Sequence, residues 1–276
     1  MNLRGAAGRI FAVAGNTYRE AIRMRLFLLL AVTGVASLAG GLYFQEFNLG
    51  SSELRFIADF GFGSMTLLGS IVTVVATVQL LYGEIEQRTI LPILSKPIGR
   101  GEFLVGKLLG AWLTICSFVA ILTVALVTAL WIREQQLFAA SGEALRVEDS
   151  VSYTGVLIFA FLQCMRLMVL ASVTAFFSSY ASSSMFAVFM GFFVWIISQM
   201  RGVLVEQWSQ GSGVAKTLAE IASLLIPDLR LFDLGAKVFG GYALELGSVV
   251  NLSFYALLYA LLYGALAALV LSKREF

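Results

Sequence analysis

An all-α, polytopic membrane fold with six transmembrane helices is predicted by three observations: the composition, six long apolar runs, and the side on which Lys and Arg fall. Of 276 residues, 59% are hydrophobic and 13% charged, with mean hydropathy +0.88. Water-soluble domains run at about 45–50% apolar and about 25% charged. Half the charge needed to coat a soluble surface is missing, and the polar residues that remain fall between the apolar runs. Lipid is therefore the solvent for most of the chain.

The elements follow in order. In residues 6–25, Ile10, Phe11, Ala14, Tyr18, Ala21 and Ile22 recur near helical spacing, while Arg9, Arg19 and Arg23 gather toward another face. That pattern predicts an amphipathic helix lying in the membrane interface; the alternative is a basic flank that only stops translocation. Residues 26–39 could serve as the apolar region of a cleaved leader, but the basic segment before them is too long for one. A retained first span is the better reading.

A bilayer core of about 30 Å needs about 20 mostly apolar residues per helix. Six stretches qualify: 26–43, 60–82, 103–131, 153–177, 181–200 and 249–271. Backbone in lipid must bond internally, so runs of this length read as helices. Residues 178–183 form a tight hairpin between the fourth and fifth spans. In the long 201–248 loop, 214–226 is helix-like and ends at Pro227-Asp228, and 229–239 is a second apolar patch. These read as short helices that dip into the outer interface or cap the bundle. No internal repeat is visible, and 1–276 reads as a single membrane domain.

Orientation follows from the basic residues of the loops. With the N-terminus inside, Arg4, Arg9, Arg19, Arg23, Arg25, Arg88, Lys96, Arg100, Lys107, Lys273 and Arg274 are cytoplasmic. Only Arg55, Arg133, Arg146, Arg201, Lys216, Arg230 and Lys237 fall outside. Both termini are therefore expected in the cytoplasm, in a multi-pass protein of a bacterial inner membrane.

Composition also removes chemistries. There is no histidine, which excludes His-ligated zinc, a Ser-His-Asp triad and a histidine proton relay. Cys116 and Cys164 lie inside apolar runs and read as small hydrophobes rather than a disulfide framework. A net charge of +2 with no basic run argues against nucleic acid. No Asp or Glu falls within the spans as bounded above, so no coupling-ion site is expected. Ser172, Ser178 and Ser198 read as packing residues. Without a buried carboxylate, a histidine or a paired cysteine, an intramembrane enzyme is disfavoured, and no catalytic or metal residue is expected.

Two constellations remain. Arg166, with Gln163 one turn away, is the one cation well inside a span. Mid-bilayer charges are costly and usually functional. It either faces the bundle interior, at a dimer interface or a cavity for an anionic group, or snorkels to its helix end. The second constellation is the 83–102 loop. Glu84 and Arg88 lie at i, i+4 and can pair on one helix face. Pro92 and Pro97 set turns. Between and before them Ile90, Leu91, Ile93 and Leu94 form an apolar patch with no core of their own, the mark of a protein partner.

The string Glu84-Ile85-Glu86-Gln87-Arg88-Thr89, then Leu94-Ser95-Lys96-Pro97-Ile98, then Arg100-Gly101-Glu102-Phe103-Leu104-Val105-Gly106-Lys107, resembles the signature loop of type-2 ABC transporter permeases of the exporter type. These are six-span subunits of multidrug and lipid export and of nitrous-oxide-reductase maturation systems. The resemblance extends to Asn16–Arg23, Phe176–Ser179, Leu225–Leu229 and Lys273–Phe276, in order along the chain.

The resemblance implies that 6–25 is the interface helix and that 84–103 contains a cytoplasmic coupling helix. Glu84, Glu86 and Arg88 would anchor it, and Ile90, Leu91, Ile93 and Leu94 would fill a groove on a separate ABC ATPase subunit. No G-x-x-x-x-G-K-[ST] loop occurs, so this chain carries no cofactor, and ATP with Mg belongs to that partner. Two permeases and two ATPases would form the complex, with a homodimer of this chain in the bilayer. ATP-driven movement of the coupling helices would then open a path for export. The alternative is a mechanotransmitter of the same architecture that drives a periplasmic partner without moving a solute.

Overall fold

The computed structural model describes residues 3–43, 53–86, 99–141, 152–209, 225–235 and 246–273. The helices are α1 (Leu3–Ile22), α2 (Arg25–Tyr43), α3 (Glu53–Glu86), α4 (Arg100–Ser141), α5 (Tyr153–Tyr180), α6 (Ser184–Ser209) and α7 (Leu246–Lys273), with a 3-10 turn at Leu229–Phe232. No strand occurs among the described residues. The six helices α2 to α7 are each long and apolar enough to cross a membrane.

Several helices outrun the apolar windows that predicted them, because their polar ends find partners. α3 begins at Glu53 and α4 continues to Ser141. There Arg133 grips the Glu53 carboxylate through Nη2 at 2.6 Å and Nε at 3.0 Å, and the Tyr153 hydroxyl donates to Glu134. Helix is retained past the apolar stretch because these groups tie α3, α4 and α5 together. At the same end Ser152 caps α5, accepting from the Gly155 N–H at 3.2 Å.

α5 is the central helix, with 67% of its apolar window buried, against 22% for α6 and for α7. Between helices in lipid the water-driven hydrophobic term is absent, so close packing around small residues matters most. Leu122 and Leu126, one turn apart on α4, press into the space left by Gly34 of α2 and Gly61 of α3; a Cβ at either glycine would lie 2.6 Å from a leucine methyl. Phe62 and Phe159 pack as a tilted pair with centroids 4.1 Å apart, joining α3 to α5. A second cluster joins α5 to α7 and the 3-10 turn through Leu229, Phe232 and Tyr259.

Most buried hydroxyls are spent within their own helices. Thr73, Thr114, Thr123, Ser172, Thr174, Ser178 and Ser179 each donate to the carbonyl four residues back. Such bonds satisfy a hydroxyl where water is absent and mark no site.

Candidate functional site

Two arrangements stand out, one at the end of the bundle that carries α1 and one near mid-membrane.

At the first, α1 lies across the start of α4. Gly106 and Gly110 of α4 form a G-x-x-x-G pair, which lets two backbones approach. A Cβ on Gly110 would sit 2.6 Å from Thr17 Cβ and 2.7 Å from the Ala14 carbonyl oxygen; one on Gly106 would sit 2.7 Å from Val13 Cβ and 3.0 Å from the Ile10 carbonyl oxygen. Polar bonds flank this seam. Arg9 holds Glu102 with both arms of its guanidinium, Nη2 to Oε1 at 2.7 Å and Nε to Oε2 at 2.9 Å. That hydrogen bond to Glu102 is the first cause holding Arg9 further above its ordinary pKa. Lys107, buried to 2% exposure, reaches Glu20 at 3.7 Å, and Tyr18 shares a 2.9 Å hydrogen bond with Ser117.

Glu102 has a second role. Its carboxylate accepts from the Gly99 N–H at 3.4 Å, the reach-back of a capping box at the start of α4. One side chain thus fixes where α4 begins and where α1 docks. Lys107 ends a Gly101-x-x-x-x-Gly106-Lys107 string, but Leu108 follows and the string lies inside a continuous helix packed on α1. It is not a phosphate loop.

The residues named from sequence for coupling lie at the end of α3 and in the segment that leads on to α4. Glu84 and Glu86 are in the last turn of α3. Arg88, Ile90, Leu91, Ile93 and Leu94 lie outside the described residues. Nearby, the Tyr82 hydroxyl donates to the Ser182 carbonyl at 2.7 Å, fastening α3 to the α5–α6 hairpin.

At these joints and spans the sequence matches the family described as ABC-2 family transporter protein, over residues 11–227. The chain belongs to that family. The match runs from α1 through α6 to Pro227, so the permease is a transmembrane subunit of an ABC transporter. No curated protein matches the sequence.

Near mid-membrane the permease carries a buried polar centre. Arg166, in the middle of α5, is 1% exposed, and its Nε and Nη1 have no hydrogen-bond partner among the described residues. It faces the bundle interior and does not snorkel. Gln163, fully buried, donates to Thr66 Oγ1 at 3.2 Å. Asp233, just past the 3-10 turn, acts electrostatically on both Arg166 and Asp59 of α3.

The segment that brings Asp233 there is held by tyrosines of α7. The Asp228 N–H donates to the Tyr255 hydroxyl at 2.8 Å, and the Tyr263 hydroxyl donates to the Leu225 carbonyl at 2.6 Å. Arg201 of α6 pairs with Asp228 at 3.4 Å.

Asp59 is exposed near the start of α3, ahead of the apolar run, because the helix begins at Glu53. One sequence expectation changes: Cys116 and Cys164 are neighbouring free cysteines, brought together by α4 and α5 lying side by side. Glu102, Gly106 and Gly110 were passed over as site residues, although the G-x-x-x-G spacing was legible.

Proposed function

We propose that this permease works as a homodimer in a bacterial inner membrane, with its termini cytoplasmic, exporting a substrate with energy from a separate ABC ATPase. Nucleotide, Mg and hydrolysis belong to the partner. The observation that carries this reading is the α1–α4 joint. The segment after Glu86 re-enters the bundle at Gly99, where Glu102 ties α4 to Arg9 of α1. A push on Ile90, Leu91, Ile93 and Leu94 by a closing ATPase would move α1 and α4 as one body.

ATP shifts the bundle only by binding one state better than the other, so Glu84, Glu86 and Arg88 must hold the loop to both partners. The homodimer is supported by the α2–α3 face. There Asp59, Thr33, Ser37 and Ser64 line an outward-facing groove of about 520 Å³, with Ser37 and Ser64 hydroxyls 2.7 Å apart. A carboxylate turned toward lipid is costly, and a second copy of the chain would cover it.

The test needs no cargo. Ser64→Cys is introduced with Cys116→Ala and Cys164→Ala, and its maleimide labelling is followed in the assembled complex. ATP should change the labelling rate, and Glu84→Ala with Arg88→Ala should abolish that change while the protein stays folded. An unchanged response in the double variant would sink the coupling role of the loop.

A further inference from the structure

We infer that a bilayer phospholipid seats one acyl chain in a groove between α4, α5 and α7. The groove has a volume of about 460 Å³. Its walls include Leu108 and Trp112 of α4, Met168 of α5, and Ala260, Gly264 and Ala268 of α7. This site stands apart from the coupling joint and does not rest on its reading.

Size and shape select the occupant. The α4 wall runs from Gly101 to Trp112, about 16 Å at 1.5 Å per residue. That is one leaflet of a hydrocarbon core about 30 Å thick. Volume divided by length gives a mean cross-section of about 29 Å². A helix about 10–12 Å across needs about 80 Å² or more, so no partner helix enters, whereas a single extended hydrocarbon chain does.

Chemistry agrees with shape. The one hydroxyl on the walls, Ser172, is spent on the Met168 carbonyl at 2.9 Å. The Trp112 Nε1 is the one polar group without a hydrogen-bond partner there, and it is buried; every other wall side chain is apolar, and apolar cavities take apolar guests. The room comes from small residues placed where α7 faces α4. A Cβ on Gly264 would meet only Leu108 Cδ1, at 3.6 Å, while the lipid-facing side of α7 carries Leu258, Leu262 and Leu269. The groove begins at Gly101, beside Glu102, at the polar edge of the leaflet where a headgroup belongs.

Trp112 reads the site directly. The permease, purified with its native partners, is reconstituted in vesicles of phosphatidylcholine brominated at carbons 9 and 10 of one chain. The Trp112 signal is taken as the difference between wild type and Trp112→Phe. Bromolipid should quench it, and Gly264→Leu, which fills the groove, should lower that quenching at least twofold while quenching of the other tryptophans is unchanged. Native mass spectrometry of wild type should retain one phospholipid per chain, lost in Gly264→Leu; Ala260→Leu serves if that variant does not fold. Equal Trp112 quenching in wild type and filled variant, no quenching in wild type, or a wild type without retained lipid would each overturn the inference.

Discussion

Replacing Gly110 by Ala tests the α1–α4 joint, because two effects of known sign oppose each other there. Ala is favoured over Gly within a helix by about 1 kcal/mol. Against this, the new Cβ meets Thr17 Cβ at 2.6 Å and the Ala14 carbonyl oxygen at 2.7 Å. Neither is the loose end of a side chain, so α1 must move by about 1 Å to restore carbon–carbon contacts of about 3.5–4.0 Å. Overpacking of this kind costs about 1–3 kcal/mol, leaving α1 net destabilised by about 1 kcal/mol.

At about 1.4 kcal/mol per tenfold, exchange of α1 amides through local opening should rise about fivefold. Gly15→Ala, on α1 itself with nothing within 4 Å of the new Cβ, carries only the propensity gain and should slow exchange by a similar factor. Gly106→Ala should behave like Gly110→Ala, and the pair should cost less than the sum, since both displace the same helix. Hydrogen exchange with mass spectrometry reads all four variants. Slower α1 exchange in Gly110→Ala than in wild type would refute the packing argument.

Other outcomes follow from the same contacts. Glu102→Gln should loosen α1 and fray the start of α4, seen as faster exchange over 9–17 and 100–104; exchanging the partners, Arg9→Glu with Glu102→Arg, should restore α1 docking but not the cap. Arg166→Met, which replaces a buried cation by an apolar chain of similar length, should leave thermal stability unchanged or raise it by about 1–4 kcal/mol, whereas a loss of about 3–5 kcal/mol would show that the guanidinium holds a needed partner. Diamide treatment should join Cys116 to Cys164 within one chain, lowering the mass by two hydrogens, and Cys116→Ala should abolish the link.

The spans were legible because lipid demands long apolar runs, and α1 because its apolar and basic faces separate. What escaped depended on distant parts of the chain. Nothing near Glu102 announces Arg9, which lies 93 positions away. Asp59 fell just before an apolar run, and only the Arg133–Glu53 clamp shows that the helix begins earlier. Asp233 comes within electrostatic range of Arg166 because Tyr255 and Tyr263 hold the segment between α6 and α7 against α7. Local pattern carries no trace of that path. Ser172 and Ser178, read as packing residues, each donate to the carbonyl four residues back, whereas Ser198 Oγ is buried with no partner among the described residues.

The central claim is that this permease is driven through the segment between α3 and α4. A mild-detergent pulldown of the tagged chain from its native membranes, with mass spectrometry of the eluate, tests it most directly. The account predicts a stoichiometric ATPase carrying a phosphate loop, lost when residues 84–97 are replaced by a Gly-Ser linker. A clean preparation without such an ATPase, or one that keeps it after the replacement, would contradict the claim.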